Sequence, residues 1–224
     1  MNKQLLFWGI WVSFIAYAFF LAPPDRPDTA SLILNLATGQ WEGINPLVIA
    51  LFNIMGIWPL IYSCLMFTDG SGQRISAWIF ALASFAVGAF ALLPYLALRN
   101  PSPTFSGDRN WVLGWLDSRL NGVAIAMLTM GLLIYGVVFG NWQDFVQQWQ
   151  SSRFIHVMSL DFLLLCLLFP ALLGDDMARR SLQDQRIFWI VSLLPLIGSA
   201  AYLALRPPIQ NRDAESELEP SVKV

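Results

Sequence analysis

The chain has 224 residues, of which 56% are hydrophobic and only 12% charged, and its mean hydropathy is +0.56. A soluble domain carries about one quarter charged residues, so this chain cannot cover a water-facing surface and needs lipid as its solvent. The formal net charge of −2 arises from scattered single charges with no basic patch, which argues against nucleic acid as a partner.

Six apolar runs have the length, about 17–25 residues, that spans a hydrocarbon core. In chain order they are approximately 5–22, 46–67, 77–98, 120–140, 156–173 and 187–205. None shows the two-residue alternation of a membrane barrel, and backbone in lipid must satisfy its own hydrogen bonds. The expected fold is therefore all-α, a polytopic bundle of about six transmembrane helices over residues 1–206.

The first run follows Lys3 and ends at Pro23 and Pro24 with no A-x-A site, so it reads as an uncleaved helix rather than a signal peptide. Residues 23–45 open with three prolines and then carry a short apolar patch, Ser31–Ala37, which Asp28 or Thr29 can cap as a brief interfacial helix. Thr68–Ser76 contains Asp69-Gly70-Ser71-Gly72, a tight polar turn between antiparallel helices.

In 141–151, Trp142, Phe145, Val146 and Trp149 share one face of a helix and glutamines fill the rest. That pattern predicts a helix lying in the membrane plane. The tail 207–224 is acidic and proline-bearing, with too little apolar material to offset ordering entropy, and is expected to be disordered. With six crossings, the cations divide six against seven between the two sides, so the positive-inside rule does not choose an orientation.

The third run ends Tyr95-Leu96-Ala97-Leu98-Arg99 and the sixth ends Tyr202-Leu203-Ala204-Leu205-Arg206. The offset is 107 residues, and Asp69 falls on Asp176 at the same offset. If each half holds three crossings, the second half is inverted, an arrangement used by secondary transporters. Against that reading, an aromatic, an apolar finish and an Arg describe many helix exits.

Asp161 is the one carboxylate well inside a predicted span. A charge at bilayer centre costs about 2.5–3.5 kcal/mol on insertion scales, so it faces a partner or water. Counted from His156 at about 1.5 Å per residue, it lies only about 7–8 Å deep. The preferred reading is a helix–helix hydrogen bond with Asn53, Asn121 or Thr129, or a position within reach of headgroups. The alternative places Asp161, Asn53 and Asn121 around a proton- or cation-handling cavity.

His156 is the only histidine. Bis-His haem is excluded, and His156 remains a single candidate axial ligand to chlorophyll or haem. Cys64 and Cys166 sit in apolar runs without metal-ligand spacing and read as buried hydrophobes. Pro59, Pro94, Pro170 and Pro195 interrupt four helices, while Ser84, Gly88 and Gly131 read as packing positions. No nucleotide, metalloprotease or nucleophile-elbow motif is present, so the sequence leans away from an enzyme.

The run Phe52–Tyr62, the turn at Asp69 and the exit Pro94–Arg99 resemble an uncharacterised family of multi-pass membrane proteins of cyanobacteria and plant plastids. The resemblance implies a photosynthetic organism and a thylakoid or plasma membrane, and brings no catalytic residues. Three functions follow: a docking or assembly subunit of a membrane complex, photosynthetic if the resemblance holds; a small-solute or ion transporter; and a single-His pigment or haem binder. The expected partners are lipid and other membrane subunits.

Overall fold

The computed structural model describes residues 3–105 and 110–209; the tail from residue 210 lies outside the described residues. Among these there are twelve α-helices and no strand. Four helical stretches are long and apolar enough to cross a membrane: Lys3–Leu21, Pro46–Asp69, Arg119–Phe139 and Arg153–Arg179. They are consistent with an integral membrane protein.

The first comprises α1 (Lys3–Ala16) and a π-helical turn, Tyr17–Leu21. The second is α3 (Pro46–Asp69), the third α7 (Arg119–Phe139), and the fourth α9 (Arg153–Leu168) continued as α10 (Pro170–Arg179). Local chemistry fixes their starts. Pro46 stands in the first turn of α3, where its missing N–H costs nothing, and the Asn45 side chain accepts from Leu47 N. Ser118 accepts from Asn121 N at the head of α7.

Two short helices occupy the loops expected to hold them. They are α2 (Thr29–Thr38) and α8 (Trp142–Ser151), the latter capped by Asn141 accepting from Asp144 N. Asn45 ties α8 to the start of α3, donating to Asp144 Oδ2 at 2.7 Å and to Asn141 O at 2.8 Å. Leu36 of α2 packs with Val48, Ile49, Ile155 and Met158 in a small core at this end.

The expected crossings at 77–98 and 187–205 are each broken in two. The first becomes α4 (Ala77–Val87) and α5 (Ala89–Leu98), the second α11 (Gln185–Leu193) and α12 (Ile197–Leu205). Each pair is a hairpin that returns to its own starting end. Gln73, just after α3, donates to Asn100 O at 2.5 Å and accepts from Asn100 N at 2.9 Å. A straight helix over 77–98 would instead hold those residues about 30 Å apart. In the second hairpin Arg180 reaches across in the same way, Nη1 donating to Pro207 O at 2.5 Å.

The six expected crossings are thus corrected to four long helices and two hairpins, both entering from the Asp69 end. The break in the first is at Gly88 (φ 51°, ψ −126°), read from the sequence as a packing glycine, and not at Pro94, which stays inside α5. In the second, Pro195 removes a donor and Leu196 takes φ 63°, with Ile197 N bonded to Pro195 O. A stretch of two long helices plus a returning hairpin ends with its original sense. The halves are therefore parallel, and the 3+3 inverted layout is replaced.

The centre is α3, whose Trp58, Ile61, Tyr62, Leu65 and Met66 are fully buried. Trp58 and Tyr62 pack against Phe162 and Phe169 of the fourth crossing. Α1 lies along α5, and α7 lies along both α12 and α3.

Candidate functional site

The most concentrated polar chemistry is at the Asp69 end, in two clusters that repeat each other. In the first, Asp69 accepts from Tyr95 Oη at 2.5 Å and from Arg99 Nη1 at 2.5 Å. In the second, Asp176 accepts from Tyr202 Oη at 2.7 Å and from Arg206 Nη1 at 3.2 Å. Each residue of the first stands 107 positions before its counterpart. The hairpin clasps obey the same rule, since Gln73 bonds to the carbonyl of 100 and Arg180 to that of 207.

The contacts between halves are reciprocal. Arg99 Nη2 donates to Ala171 O at 2.8 Å, and Arg206 donates to Cys64 O at 3.3 Å, with 64 and 171 again 107 apart. Such exchange is the signature of a two-fold relation. Here it lies within one chain, about an axis running along the parallel helices.

Further carboxylates and guanidinia complete the clusters. Arg99 also pairs with Asp175 at 2.5 Å, and Arg179 joins Asp69 at 2.5 Å. Asp117, just after α6 (Trp111–Leu116), pairs with Arg180 at 2.7 Å and Arg206 at 3.5 Å. Burial works against the charge on Arg180, yet the carboxylates of Asp176 and Asp117 hold its guanidinium above the usual value. Removing one member of such a network leaves its partner as a bare buried charge, which is the costly outcome. The clusters clamp both hairpins to the long helices.

Asp161 sits apart from them. Its Oδ1 accepts from Ala89 N at 2.8 Å, at the first turn of α5 inside the Gly88 break. The expected partners Asn53, Asn121 and Thr129 are not its partners. Its neighbour Phe162 meets Trp58 edge-on, and at about 1.5 Å per residue Trp58 is about 17 Å of helix from Asp69. Asp161 is therefore near mid-depth and not in headgroup reach. The Ala89 N–H and the positive end of α5 offset part of the burial cost of a carboxylate there.

The other sequence candidates lie elsewhere. Asn53 turns onto its own helix, donating to Ile49 O. Asn121 joins the second cluster's surroundings, donating to Cys64 Sγ at 3.4 Å. No hydrogen bond links the three polar residues proposed to share a cavity. His156 is held between the rings of Tyr17 and Trp149. Its Nε2 bonds to Tyr17 Oη at 2.8 Å and its Nδ1 to Trp149 O at 3.0 Å. An axial ligand needs an open ring nitrogen, and both are engaged.

One space breaks the two-fold relation. α7 packs closely on α3, with Gly136 against Ala50 and Gly140 against Leu47. The equivalent of that contact is α1 on α9, and these helices do not close. Between them lies a groove of about 920 Å³ whose lining includes Leu6, Gly9, Ser13 and Tyr17 of the first helix and Leu160 and Leu164 of α9.

The sequence reading missed both clusters as sites, although the 107-residue offset of Asp69, Tyr95 and Arg99 was visible in it. Comparison with known proteins adds nothing to the geometry: no family model, no curated protein and no solved structure matches this chain.

Proposed function

We propose that the chain is a non-enzymatic integral membrane protein that docks in, or helps assemble, a larger membrane complex. The observation that carries this reading is the use of Asp69, Asp117, Asp175 and Asp176 with Arg99, Arg179, Arg180 and Arg206 as internal clamps. These groups make the fold a rigid frame, and the chemistry left for partners is its apolar outer face, where Trp78, Leu82, Trp189 and Leu193 of the hairpins are exposed. The resemblance to a cyanobacterial and plastid family implies a thylakoid or plasma membrane and, with it, a photosynthetic complex as the partner. Gentle detergent purification from such a membrane should recover a stoichiometric partner subunit. A single monodisperse species without a partner, across several mild detergents, rejects the reading.

A second reading, proton- or cation-coupled transport, is favoured by Asp161 alone, because a mid-depth carboxylate at a helix break is how transport sites are built. Asp161→Asn should then change flux in reconstituted vesicles, and wild-type flux removes Asp161 from that role. The pigment reading is tested by the absorption spectrum between about 400 and 700 nm, where chlorophyll and haem absorb.

A further inference from the structure

We infer that Asp161 is a binding site for a proton and not for a metal cation, and that Oδ2 is the atom that takes it up and releases it. What the proton drives rests on the transport reading of this residue. Internal symmetry first removes a purely structural role. The 107-residue offset that matches the clusters puts Pro195 at the place of Gly88, Leu196 at that of Ala89 and Ile54 at that of Asp161. α3 lies against α12 as α9 lies against α5, and Ile54 is buried. The second hairpin turns with an isoleucine at that place, so the fold does not need a carboxylate to make such a break.

The first break is built around the acid instead. A Cβ on Gly88 would fall within the Asp161 carboxylate, closest to Oδ2, so glycine is what lets the acid approach. Ala89 N–H donates to Oδ1 at 2.8 Å, and among the described residues no donor reaches Oδ2. The surroundings carry no counter-charge. Tyr62 of α3 and Cys166 of α9 are the titratable groups beside it, and the Tyr62 hydroxyl is committed to Leu165 O at 2.6 Å. α4 has no titratable residue. The charged groups of α5 and α10 belong to the clusters at the Asp69 end, and Asp144 of α8 is bound by Asn45 and Gln148. His156 and Tyr17 are bound to each other, and Lys3 of α1 is exposed.

Chemistry then selects the ligand. Divalent cations collect about six oxygens or more, and Na⁺ in broken-helix sites is held by the carbonyl ends of half-helices. Asp161 binds the opposite kind of end, an N–H at the start of α5. Among the described residues no group of three His, Cys, Asp or Glu is placed to hold an ion. A proton needs one oxygen. Taken from water onto Oδ2, it neutralises a carboxylate that has no counter-ion at mid-depth. Oδ1 goes on accepting from Ala89 N, so the hairpin tip survives in both states, and release returns the proton to water.

The test is infrared titration of the full chain in phosphatidylcholine vesicles, with the buffer taken from about pH 5 to about pH 9. Wild type should show a protonated-carboxyl C=O band that fades as the pH rises and is absent from Asp161→Asn. Its midpoint should stay within about twofold in proton concentration when choline chloride is replaced by NaCl, KCl or MgCl₂. Identical titrations of wild type and Asp161→Asn overturn the inference, as does a midpoint moved about tenfold or more by any of the three metals. If Asp161→Asn does not fold, Asp161→Glu decides: the band should move to the wavenumber of a glutamic acid, and an unmoved band overturns the assignment. Flux in the same vesicles separates the site from its use. A titrating Asp161 band without proton flux supports the site and removes transport. Flux driven by a Na⁺ or K⁺ gradient without a titrating band keeps transport and overturns the proton site.

Discussion

Gly88→Ala probes the hinge of the first hairpin and the one mid-depth carboxylate together. Gly88 has φ 51° and ψ −126°, a conformation that costs an L-residue about 1–3 kcal/mol. A Cβ built there falls within the Asp161 carboxylate, so the side chain must move and abandon Ala89 N. Leaving that buried N–H unpaired adds about 1–3 kcal/mol. The sum is about 2–6 kcal/mol, large against the total stability of a domain. The assay is equilibrium unfolding in detergent of wild type, Gly88→Ala, Asp161→Ala and the double variant. Asp161→Ala removes the obstacle and already forfeits the hydrogen bond. The double variant should therefore lose less than the two singles added, by at least about 1 kcal/mol. Strict additivity, or a neutral Gly88→Ala, refutes the geometry of the hinge.

Three further outcomes follow from the same structure. Single cysteines at Gln73 and Asn100, in a background lacking Cys64 and Cys166, should both label with an impermeant maleimide from one side of sealed vesicles; labelling from opposite sides would restore the simple crossing. Arg99→Ala and Arg206→Ala should each destabilise by about 3–5 kcal/mol as broken buried pairs, while Arg26→Ala, whose partner Asp28 is exposed, should change thermal unfolding by under about 1 kcal/mol. Gly136→Leu should lose about 1–3 kcal/mol by overpacking against Ala50, whereas Gly131→Leu should be silent in the same melt.

The two matching clusters show how partial the written record of a contact can be. Asp69, Tyr95 and Arg99 have identical counterparts at Asp176, Tyr202 and Arg206, so side-chain identity preserved the pattern. The clasp at 73 and 180 changed from Gln to Arg while keeping its bond to a carbonyl. The carbonyls of 64 and 171, which receive Arg206 and Arg99, carry no trace in residue type, because any residue supplies a C=O. For the same reason the partner of Asp161 is not legible in residue types: the donor is a backbone N–H freed by a helix break.

Composition and run length by themselves determined that this chain is helical, belongs in lipid, and carries short helices after the first and fourth apolar runs. Those properties depend on transfer free energy and local hydrogen bonding, which are read one segment at a time. Whether 77–98 and 187–205 cross or return was decided only by tertiary structure. An apolar stretch of that length satisfies the bilayer either way, and the choice fell to Gly88, to the Pro195–Leu196 turn and to hydrogen bonds and ion pairs between residues 26 to 110 positions apart. The parallel sense of the two halves, and the groove that interrupts their symmetry, are consequences of that choice.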